Sequence, residues 1–399
     1  MSWRVLLSEF VAHIDYKECM VKLKKHIASI FSAMIFVTGC NGMPEQKSEV
    51  ESPFSLKQAF EGKFVIGAAV NEHHISSEAD NLLLTQHYNT LTPENMMKWE
   101  EIHPTPTQFS FARPDDLVSF AELNNMQVVG HTLVWHSQTP DWVFHREDGS
   151  RKSREELLLL MKNHIDTVAG RYKNRLYGWD VVNEAFNEDG SLRQSLWYEI
   201  IGEDFIEKAF EYAHEAAPKA KLYYNDYNLF KPAKREGVVS LVKRLQSKGI
   251  KIDGVGMQAH YSLEHPDLKE VEDSIKAFSL LGVDVMLTEL DISVLPFPDE
   301  NNMGADVGLS IALQDEFNPY SDSLPSNIQK ELANRYQSLF AIVNRHSDKI
   351  SRVTFWGLHD GHSWRNDWPM PGRKDYPLLF GHDKGLKDFA RQLPFAEDK

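Results

Sequence analysis

The chain has 399 residues, of which 42% are hydrophobic and 25% are charged, a composition typical of a globular protein with a large buried core. Acidic residues outnumber basic ones by 58 to 43, which gives a formal net charge of −15, so nucleic acid is not expected as a partner. The two cysteines, Cys19 and Cys40, both precede the first predicted core strand. Neither a disulfide framework nor a cysteine metal site is therefore expected in the folded domain.

The first 39 residues have the pattern of an export signal. A basic stretch, Lys22 to Lys25, precedes a short apolar run over residues 27–37, and small residues stand directly before Cys40. The apolar run is shorter than the roughly 20 residues that span a bilayer. We therefore expect a cleaved signal peptide rather than a membrane helix. An amphipathic helix in a cytosolic protein is the alternative.

The residues before Cys40 resemble the lipobox of bacterial lipoproteins. This resemblance implies cleavage before Cys40, lipid attachment to its thiol, and export to a bacterial membrane, either periplasmic or at the cell surface. On this interpretation Met20 is the start of translation, and residues 1–19 are an upstream extension. Residues 40–60 begin with a polar stretch that contains Pro44, and they are expected to form a tether and the entry to the domain.

From residue 61 to residue 399, apolar strand-like runs alternate with helix-like segments. The predicted strands are Phe64–Val70, Tyr88–Thr92, Gln127–Trp135, Leu176–Asn183, Lys221–Asn225, Ile252–Gln258, Val283–Leu290 and Arg352–Trp356. The predicted helices are Ser77–His87, Pro114–Asn124, Arg154–Tyr172, Phe205–Ala216, Lys234–Ser247, Leu268–Leu281, Ile328–His346 and a last one within Leu386–Gln392. Eight strands in this alternation predict a single-domain α/β fold of the (β/α)8 TIM barrel type. An open, doubly wound sheet is the alternative. A long insertion, Leu295–Leu324, follows the seventh strand.

Two of the predicted strands end by presenting a glutamate. The sequence W-D-V-V-N-E-A-F, residues 179–186, presents Glu184, and V-D-V-M-L-T-E-L-D-I, residues 283–292, presents Glu289. The carboxyl ends of barrel strands form the catalytic face, so these two side chains are expected to converge. Cleavage of an acetal between sugars needs one carboxylic acid with a raised pKa and one carboxylate with a lowered pKa. The pair therefore predicts a glycoside hydrolase, whereas salt-bridged residues at the barrel rim are the alternative.

The two motifs resemble the acid/base and nucleophile motifs of glycoside hydrolase family 10, the retaining endo-β-1,4-xylanases. Other segments resemble the same family, and these are E-N-M-M-K-W at 94–99, G-H-T-L-V-W-H-S at 130–137, Y-N-D-Y-N at 224–228, G-M-Q-A-H at 256–260 and T-F-W-G at 354–357. The resemblance extends from about Phe64 to the C-terminus. It implies that Glu184 is the general acid/base, that Glu289 is the nucleophile, and that the anomeric configuration is retained.

The resemblance also implies roles for the residues around the two glutamates. Asn183 is expected to hydrogen-bond the 2-hydroxyl of the sugar under attack, while His260 and Asp291 are expected to orient and ionise Glu289. The polar lining on the non-reducing side is expected to comprise Glu94, Asn95, Lys98, His131 and Gln258. The aromatic walls are expected to be Trp135, Trp356 and Trp364, with Tyr227 on the leaving-group side. No role follows for His136.

The expected partners are xylan and xylo-oligosaccharides, with the membrane contacted only through the lipid, and the chain is expected to be monomeric. No cofactor is expected. No metal is expected either, because the adjacent His73 and His74 beside Glu72 should point apart and lack a second ligand pair. Two alternative functions remain open at this point. One is a β-1,4-glucanase of the same mechanism, since only a hydroxymethyl group separates glucose from xylose, and the other is a catalytically silent xylan-binding lipoprotein.

Overall fold

The structure is a computed structural model that describes residues 54–296 and 314–393. The predicted export signal, Cys40 and residues 297–313 of the insertion lie outside the described residues. Within the described ranges, none of the helices combines the length and the apolar character needed to cross a membrane.

A closed parallel barrel lies at the centre of the described part of the chain. Its strands are β1 (Val65–Val70), β2 (Thr90–Pro93), β3 (Gln127–Trp135), β4 (Gly178–Asn183), β5 (Lys221–Asp226), β6 (Gly254–Met257), β8 (Asp284–Ser293) and β9 (Ile350–Phe355), and a short β7 (His260–Ser262) follows β6. Strands β1 to β6 pair in chain order, β6 pairs with β8, β8 with β9, and β9 with β1. The prediction of a (β/α)8 barrel is thus confirmed.

The long helices lie between the strands, as the sequence predicts. They are Glu78–His87, Ala112–Leu123, Arg154–Arg171, Phe205–Ala216, Pro232–Ser247, Leu268–Ser279 and Ser326–Arg345. Shorter helices are Leu56–Ala59, Glu72–Ser76, Trp99–Ile102, Leu196–Ile201 and Gln314–Phe317. Local signals set some of these bounds: Ser153 and Glu156 form a capping box that fixes the start of Arg154–Arg171.

Two chain-end predictions differ from the structure. The expected last helix within Leu386–Gln392 is only a 3-10 helix, Asp388–Gln392, and short runs of this length commonly adopt the 3-10 form as connectors. Residues 54–60, placed in the tether and entry segment, belong to the barrel domain. Leu56 and Phe60 are fully buried, and the ring of Phe60 stacks on that of Phe64 with centroids 4.8 Å apart.

The sixth predicted strand is interrupted after Met257. Ala259 has a φ of 68°, in the left-handed region that residues with a Cβ rarely adopt. Across this turn the register against β8 changes by one residue, since Met257 pairs with Leu287 whereas His260 pairs with Asp291 rather than with residue 290. The interruption therefore places His260 beside Asp291, at the carboxyl end of the barrel.

The barrel interior is filled with side chains. Val129, Tyr223 and Met286 form a buried cluster inside it, and the buried guanidinium of Arg352 lies 5.8 Å from the centroid of the Tyr223 ring. A larger apolar core lies between the strands and the surrounding helices. Because the interior is packed, a ligand cannot enter between the strands, and the carboxyl ends of the strands are the expected position of an active site.

Candidate active site

Both predicted catalytic glutamates face one cavity of about 270 Å³ above the carboxyl ends of the strands. Its lining consists of Glu94, Asn95, Lys98, His131, Trp135, Gln138, Asn183, Glu184, Tyr227, Gln258, His260, Glu289, Trp356 and Trp364. Every residue predicted for the cleft lies in this lining except Asp291, which is fully buried beneath it. A larger cavity of about 870 Å³ between residues 322–337 and 374–392 contains neither Glu184 nor Glu289. The paired carboxylates thus assign the chemistry to the smaller cavity.

Glu289 is buried, with 4% of its surface exposed, and each of its carboxylate oxygens has a partner. Oε1 accepts a hydrogen bond of 2.7 Å from Nδ2 of Asn225, and Oε2 lies 3.1 Å from Nε2 of His260. Asn225 also donates to Oδ1 of Asn183 at 2.9 Å. The nucleophile candidate is therefore held in one orientation and is linked to the residue predicted to bind the sugar 2-hydroxyl.

The His260 ring lies between two carboxylates. Its Nδ1 is 3.0 Å from Oδ1 of Asp291, an oxygen that also accepts hydrogen bonds from Nε and Nη2 of Arg365 at 3.0 and 2.9 Å. Burial lowers the pKa of His260, but Asp291 and Glu289 outweigh it and raise this pKa to about 9. Burial raises the pKa of Asp291, yet Arg365 and His260 bring it down to about 2. At neutral pH an imidazolium thus faces the carboxylate of Glu289.

Glu184 follows β4 with a φ of 56°, in the left-handed region. Three backbone contacts hold this strained turn: its N–H donates to the Asn225 carbonyl at 2.9 Å, Nε of Arg193 donates to its carbonyl at 3.1 Å, and the N–H of Ala185 donates to the Tyr224 hydroxyl at 3.0 Å. Strained residues that are held by their surroundings cluster at functional sites. The turn directs the Glu184 side chain into the cavity.

The carboxylate of Glu184 accepts hydrogen bonds from Nε2 of Gln258 at 2.9 Å and from Nε1 of Trp135 at 2.8 Å. Burial raises the pKa of Glu184, but the positive charge of His136 and these two donors outweigh burial, so that the pKa lies below its ordinary value. This differs from the raised pKa expected for an acid. In the free protein the side chain is therefore poised as a base, and His136 gains the role that the sequence could not assign.

The residues predicted for the non-reducing side form a polar wall. Nζ of Lys98 donates to Asn95 at 3.0 Å and to Gln138 at 2.8 Å, and it lies 5.0 Å from the centroid of the Trp135 ring. Burial lowers the pKa of Lys98. Burial likewise raises the pKa of Glu94, which accepts a 2.6 Å hydrogen bond from Nδ2 of Asn71.

His131 is fixed from behind by Asp180, whose Oδ2 lies 2.9 Å from Nδ1 of the ring. Both side chains are nearly fully buried. Because a carboxylate oxygen can only accept a hydrogen bond, Nδ1 of His131 is the donor to Asp180. The other ring nitrogen, Nε2, is not engaged by Asp180. Asp180, which the sequence places inside a strand, thus orients a cleft residue.

On the side of Tyr227, the structure adds a cluster that the motifs did not indicate. Nζ of the fully buried Lys234 lies 3.6 Å from the centroid of the Tyr227 ring and 2.9 Å from Oδ1 of Asp226. Nη2 of Arg193 donates to the Tyr227 hydroxyl at 2.9 Å. Burial raises the pKa of Asp226 to about 6. Lys234 and Arg193 thus fix the position of the Tyr227 ring.

Sequence reasoning did not identify several residues that support the site. They are Asn71, His136, Gln138, Arg193, Lys234 and Arg365. Two of them directly follow predicted strands, Asn71 after Val70 and His136 after Trp135, and this position could have indicated them. The other four carry no such signal, because they do not directly follow a predicted strand.

The described end of the insertion packs on the loop after β9. Asn318 donates to the carbonyl of Gly372 at 3.0 Å and accepts from the N–H of Lys374 at 3.1 Å, while the carbonyl of Phe317 accepts from Nε of Arg373 at 3.1 Å. The middle of the insertion, residues 297–313, lies outside the described ranges.

The reason given for excluding a metal at His73 and His74 is wrong. The two Nε2 atoms lie 3.1 Å apart, so the rings converge. A third ring, that of His362, approaches both of them from the loop after β9.

Comparisons with known proteins agree with this geometry. The model of the glycosyl hydrolase family 10 matches residues 55–392. An endo-1,4-beta-xylanase A of Xylanibacter ruminicola is 44% identical over 341 residues, which cover 85% of this chain and 92% of that protein. An endo-1,4-beta-xylanase of Geobacillus stearothermophilus is 45% identical and covers 84% of this chain and 96% of its own.

Among solved structures, a family 10 endoxylanase from a sugarcane soil metagenome superposes with a TM-score of 0.81 at 42% identity. The match covers 85% of this chain and 99% of that one. With a barrel, two cleft glutamates and a family match over the whole described domain, the chain belongs to glycosyl hydrolase family 10.

Proposed function

We propose that the chain is a retaining endo-1,4-β-xylanase that hydrolyses internal β-1,4 bonds of xylan, with Glu289 as nucleophile and Glu184 as acid/base. One observation carries the proposal. The glutamates at the ends of β4 and β8 share a cavity walled by Trp135, Trp356 and Trp364. Glu289 contacts Asn225 and His260, whereas Glu184 contacts Gln258 and Trp135. The two carboxyl groups thus lie in one cavity with different partners, as two different roles require.

The first step forms a covalent intermediate. An oxygen of Glu289 attacks the anomeric carbon, the bond to the leaving sugar breaks, and Glu184 gives its proton to the departing oxygen. Because Glu184 is ionised in the free protein, the bound sugar must raise its pKa. A sugar ring that displaces water from the cavity does this by desolvating the carboxylate.

The second step hydrolyses the glycosyl ester. Water attacks the anomeric carbon, Glu184 takes a proton from that water, and Glu289 leaves as a carboxylate. While Glu289 is esterified its negative charge is absent, so the positive charge of His260 is offset by Asp291 alone. This lowers the pKa of Glu184 and favours its action as a base.

The substrate is inferred from the wall of aromatic rings and from the names of the relatives, which are xylanases. Flat rings suit the apolar faces of pyranoses. A glucanase is less favoured because these relatives carry xylanase names. A silent binding protein is less favoured because both glutamates are present and oriented.

The test is the release of reducing ends from xylan and from mixed-linkage glucan by the full chain, alongside Glu289→Ala. Glu147→Ala, at an exposed position on the 141–150 loop, is the matched control. We expect release from xylan that is abolished in Glu289→Ala and unchanged in the control. Release from glucan alone would show that the chain is a glucanase and not a xylanase. Release from neither substrate would contradict the proposed hydrolase activity.

We further propose that the chain is exported, carries lipid on Cys40, and acts as a monomer. The lipobox-like residues before Cys40 support the anchor, and the test is the distribution between membrane and soluble fractions of cells that express the chain or its Cys40→Ala variant. A mature chain whose mass still includes Lys22, or a variant that stays in the membrane fraction, would contradict it. Light scattering of the mature protein tests the monomer.

A further inference from the structure

Three histidine rings converge outside the substrate cavity. Nε2 of His73 lies 3.1 Å from Nε2 of His74 and 3.0 Å from Nδ1 of His362, and the latter two atoms are 3.2 Å apart. His73 and His74 lie on the short helix Glu72–Ser76 after β1, whereas His362 ends the turn after β9. Strands β1 and β9 are neighbours that close the barrel. The three nitrogens thus form a nearly equilateral triangle.

Hydrogen bonds alone do not satisfy such a triangle. A hydrogen bond between two nitrogens needs an N–H on one and a lone pair on the other. Among three nitrogens in mutual contact, at least two must be of the same kind, so at least one of the three contacts cannot be a hydrogen bond. A cation at the centre satisfies all three lone pairs at once. The donor atoms of all three rings lie close enough together to hold one metal ion, and neutral imidazole is the form in which histidine binds metals.

We propose that His73, His74 and His362 bind a divalent transition-metal ion, with zinc as the expected ion. Tetrahedral zinc with Zn–N bonds of about 2.0 to 2.1 Å requires ligand nitrogens about 3.3 Å apart, close to the separations found here. Three imidazoles suit zinc, nickel and copper rather than calcium or magnesium. His73 and His362 are exposed while His74 is buried, so the ion reaches the site from solvent and a water completes its coordination.

Nearby carboxylates are already engaged. Oε1 of Glu72 lies 3.3 Å from Nη1 of Arg113, and Oδ1 of Asp80 lies 2.7 Å from Nζ of Lys384. The protein ligands proposed for the ion are therefore the three imidazoles. Asp80, together with His359 and His362, has donor atoms within 4.8 Å of one another, and its negative charge favours a cation at the neighbouring triangle.

One contact opposes binding at His74. Its Nδ1 accepts a 3.0 Å hydrogen bond from the N–H of Asn71, whereas coordination through Nε2 requires a proton on Nδ1. Binding thus exchanges one backbone hydrogen bond for a metal–nitrogen bond. The exchange is favourable because a single neutral hydrogen bond contributes far less than a transition-metal ligand.

A bound ion would join the loop after β1 to the loop after β9. His362 precedes Trp364, which forms part of the cavity wall, and Arg365, which supports Asp291. The ion would therefore stabilise the loop that carries both side chains. Its expected effect is on thermal stability, without a change in the catalytic residues.

The experiment measures zinc binding by calorimetry on the full chain, prepared without a histidine tag and stripped with a chelator. We expect one zinc per chain and a melting temperature that rises with zinc concentration. Losing an outer partner of a metal ligand costs about 10- to 100-fold in affinity. Losing a ligand in His73→Asn or His362→Asn should therefore weaken binding by at least about 100-fold and remove the rise in melting temperature.

His214→Asn is the matched control, because His214 is an exposed histidine on the distant helix Phe205–Ala216. It should bind zinc as the parent does. Absence of binding in the parent, or equal binding in His362→Asn and the parent, would overturn the proposal. Since both ligand variants replace exposed side chains, they should fold, and their melting temperature without zinc verifies this.

Discussion

Arg365 and His260 contact the same oxygen atom, Oδ1 of Asp291, at 2.9 to 3.0 Å. The buried carboxylate of Asp291 thus pairs with the permanent positive charge of Arg365 on one side and with the protonated ring of His260 on the other. The charge on His260 depends on Asp291, the charge on Asp291 depends on Arg365, and Glu289 faces the end of this series. The electrostatics of the nucleophile candidate therefore extend beyond the residues that touch the cavity.

The free energy of unfolding should depend on pH through His260. Its pKa is about 9 in the folded protein, above the ordinary value of 6.5. The stabilisation is therefore fully present below pH 6.5 and is lost as pH rises through 9. Each pH unit between the two pKa values corresponds to about 1.4 kcal/mol. Denaturant unfolding between about pH 6 and 10 measures the loss. His260→Gln should remove this part of the pH dependence, and an unchanged slope in that variant would contradict the assignment.

Replacement of Arg365 by methionine should destabilise the protein by about 3 to 5 kcal/mol, because it leaves the buried charge of Asp291 without its strongest partner. Denaturant titration measures this loss. The double variant Arg365→Met with Asp291→Asn should regain part of it, since no unpaired charge remains. Arg171→Met removes an exposed pair with Asp115 and should cost less than about 1 kcal/mol. Equal losses in Arg365→Met and Arg171→Met would count against this role.

Replacement of His136 by glutamine should raise the pKa of Glu184 in the free enzyme, because the charge of His136 contributes to the lowered value. The basic limb of the pH profile of kcat/KM reports the acid of the free enzyme, so it should move to higher pH. His145→Gln changes a histidine that pairs with Asp141 instead and should leave the limb in place. A basic limb that stays fixed or moves to lower pH in His136→Gln would refute the assignment.

Gly256→Ala should reduce activity more than it reduces stability. A Cβ at this position would meet Oδ1 of Asn225 at 2.4 Å and Cγ2 of Thr288 at 2.6 Å, so the Asn225 amide would move away from Glu289. We expect a fall in kcat for xylan, measured beside the melting temperature.

Gly170→Ala, in helix Arg154–Arg171 with nothing within 4 Å of the new Cβ, should instead stabilise the chain by about 0.5 to 1 kcal/mol. Unchanged kcat in Gly256→Ala would mean that Asn225 does not position the nucleophile.

The sequence by itself determined the barrel, the two glutamates and most of the cavity lining. Each of these depends on local signals: apolar runs of strand length, helix caps such as Ser153, and polar residues where a strand ends. In a parallel barrel all strand ends meet on one face, so local position along a strand already implies position in space. That is why Glu184, which follows β4, could be paired with Glu289 on β8 although 105 residues separate them in the chain.

Only the tertiary structure decided how the charges are arranged. Arg365 reaches Asp291 across 74 residues of chain, and His362 reaches His73 across 289. The one-residue shift at Ala259 that places His260 beside Asp291 follows from the packing of β7 on β8 rather than from any local preference of alanine. Contacts between distant segments depend on the whole fold, because burial and pairing fix them only after the barrel has closed.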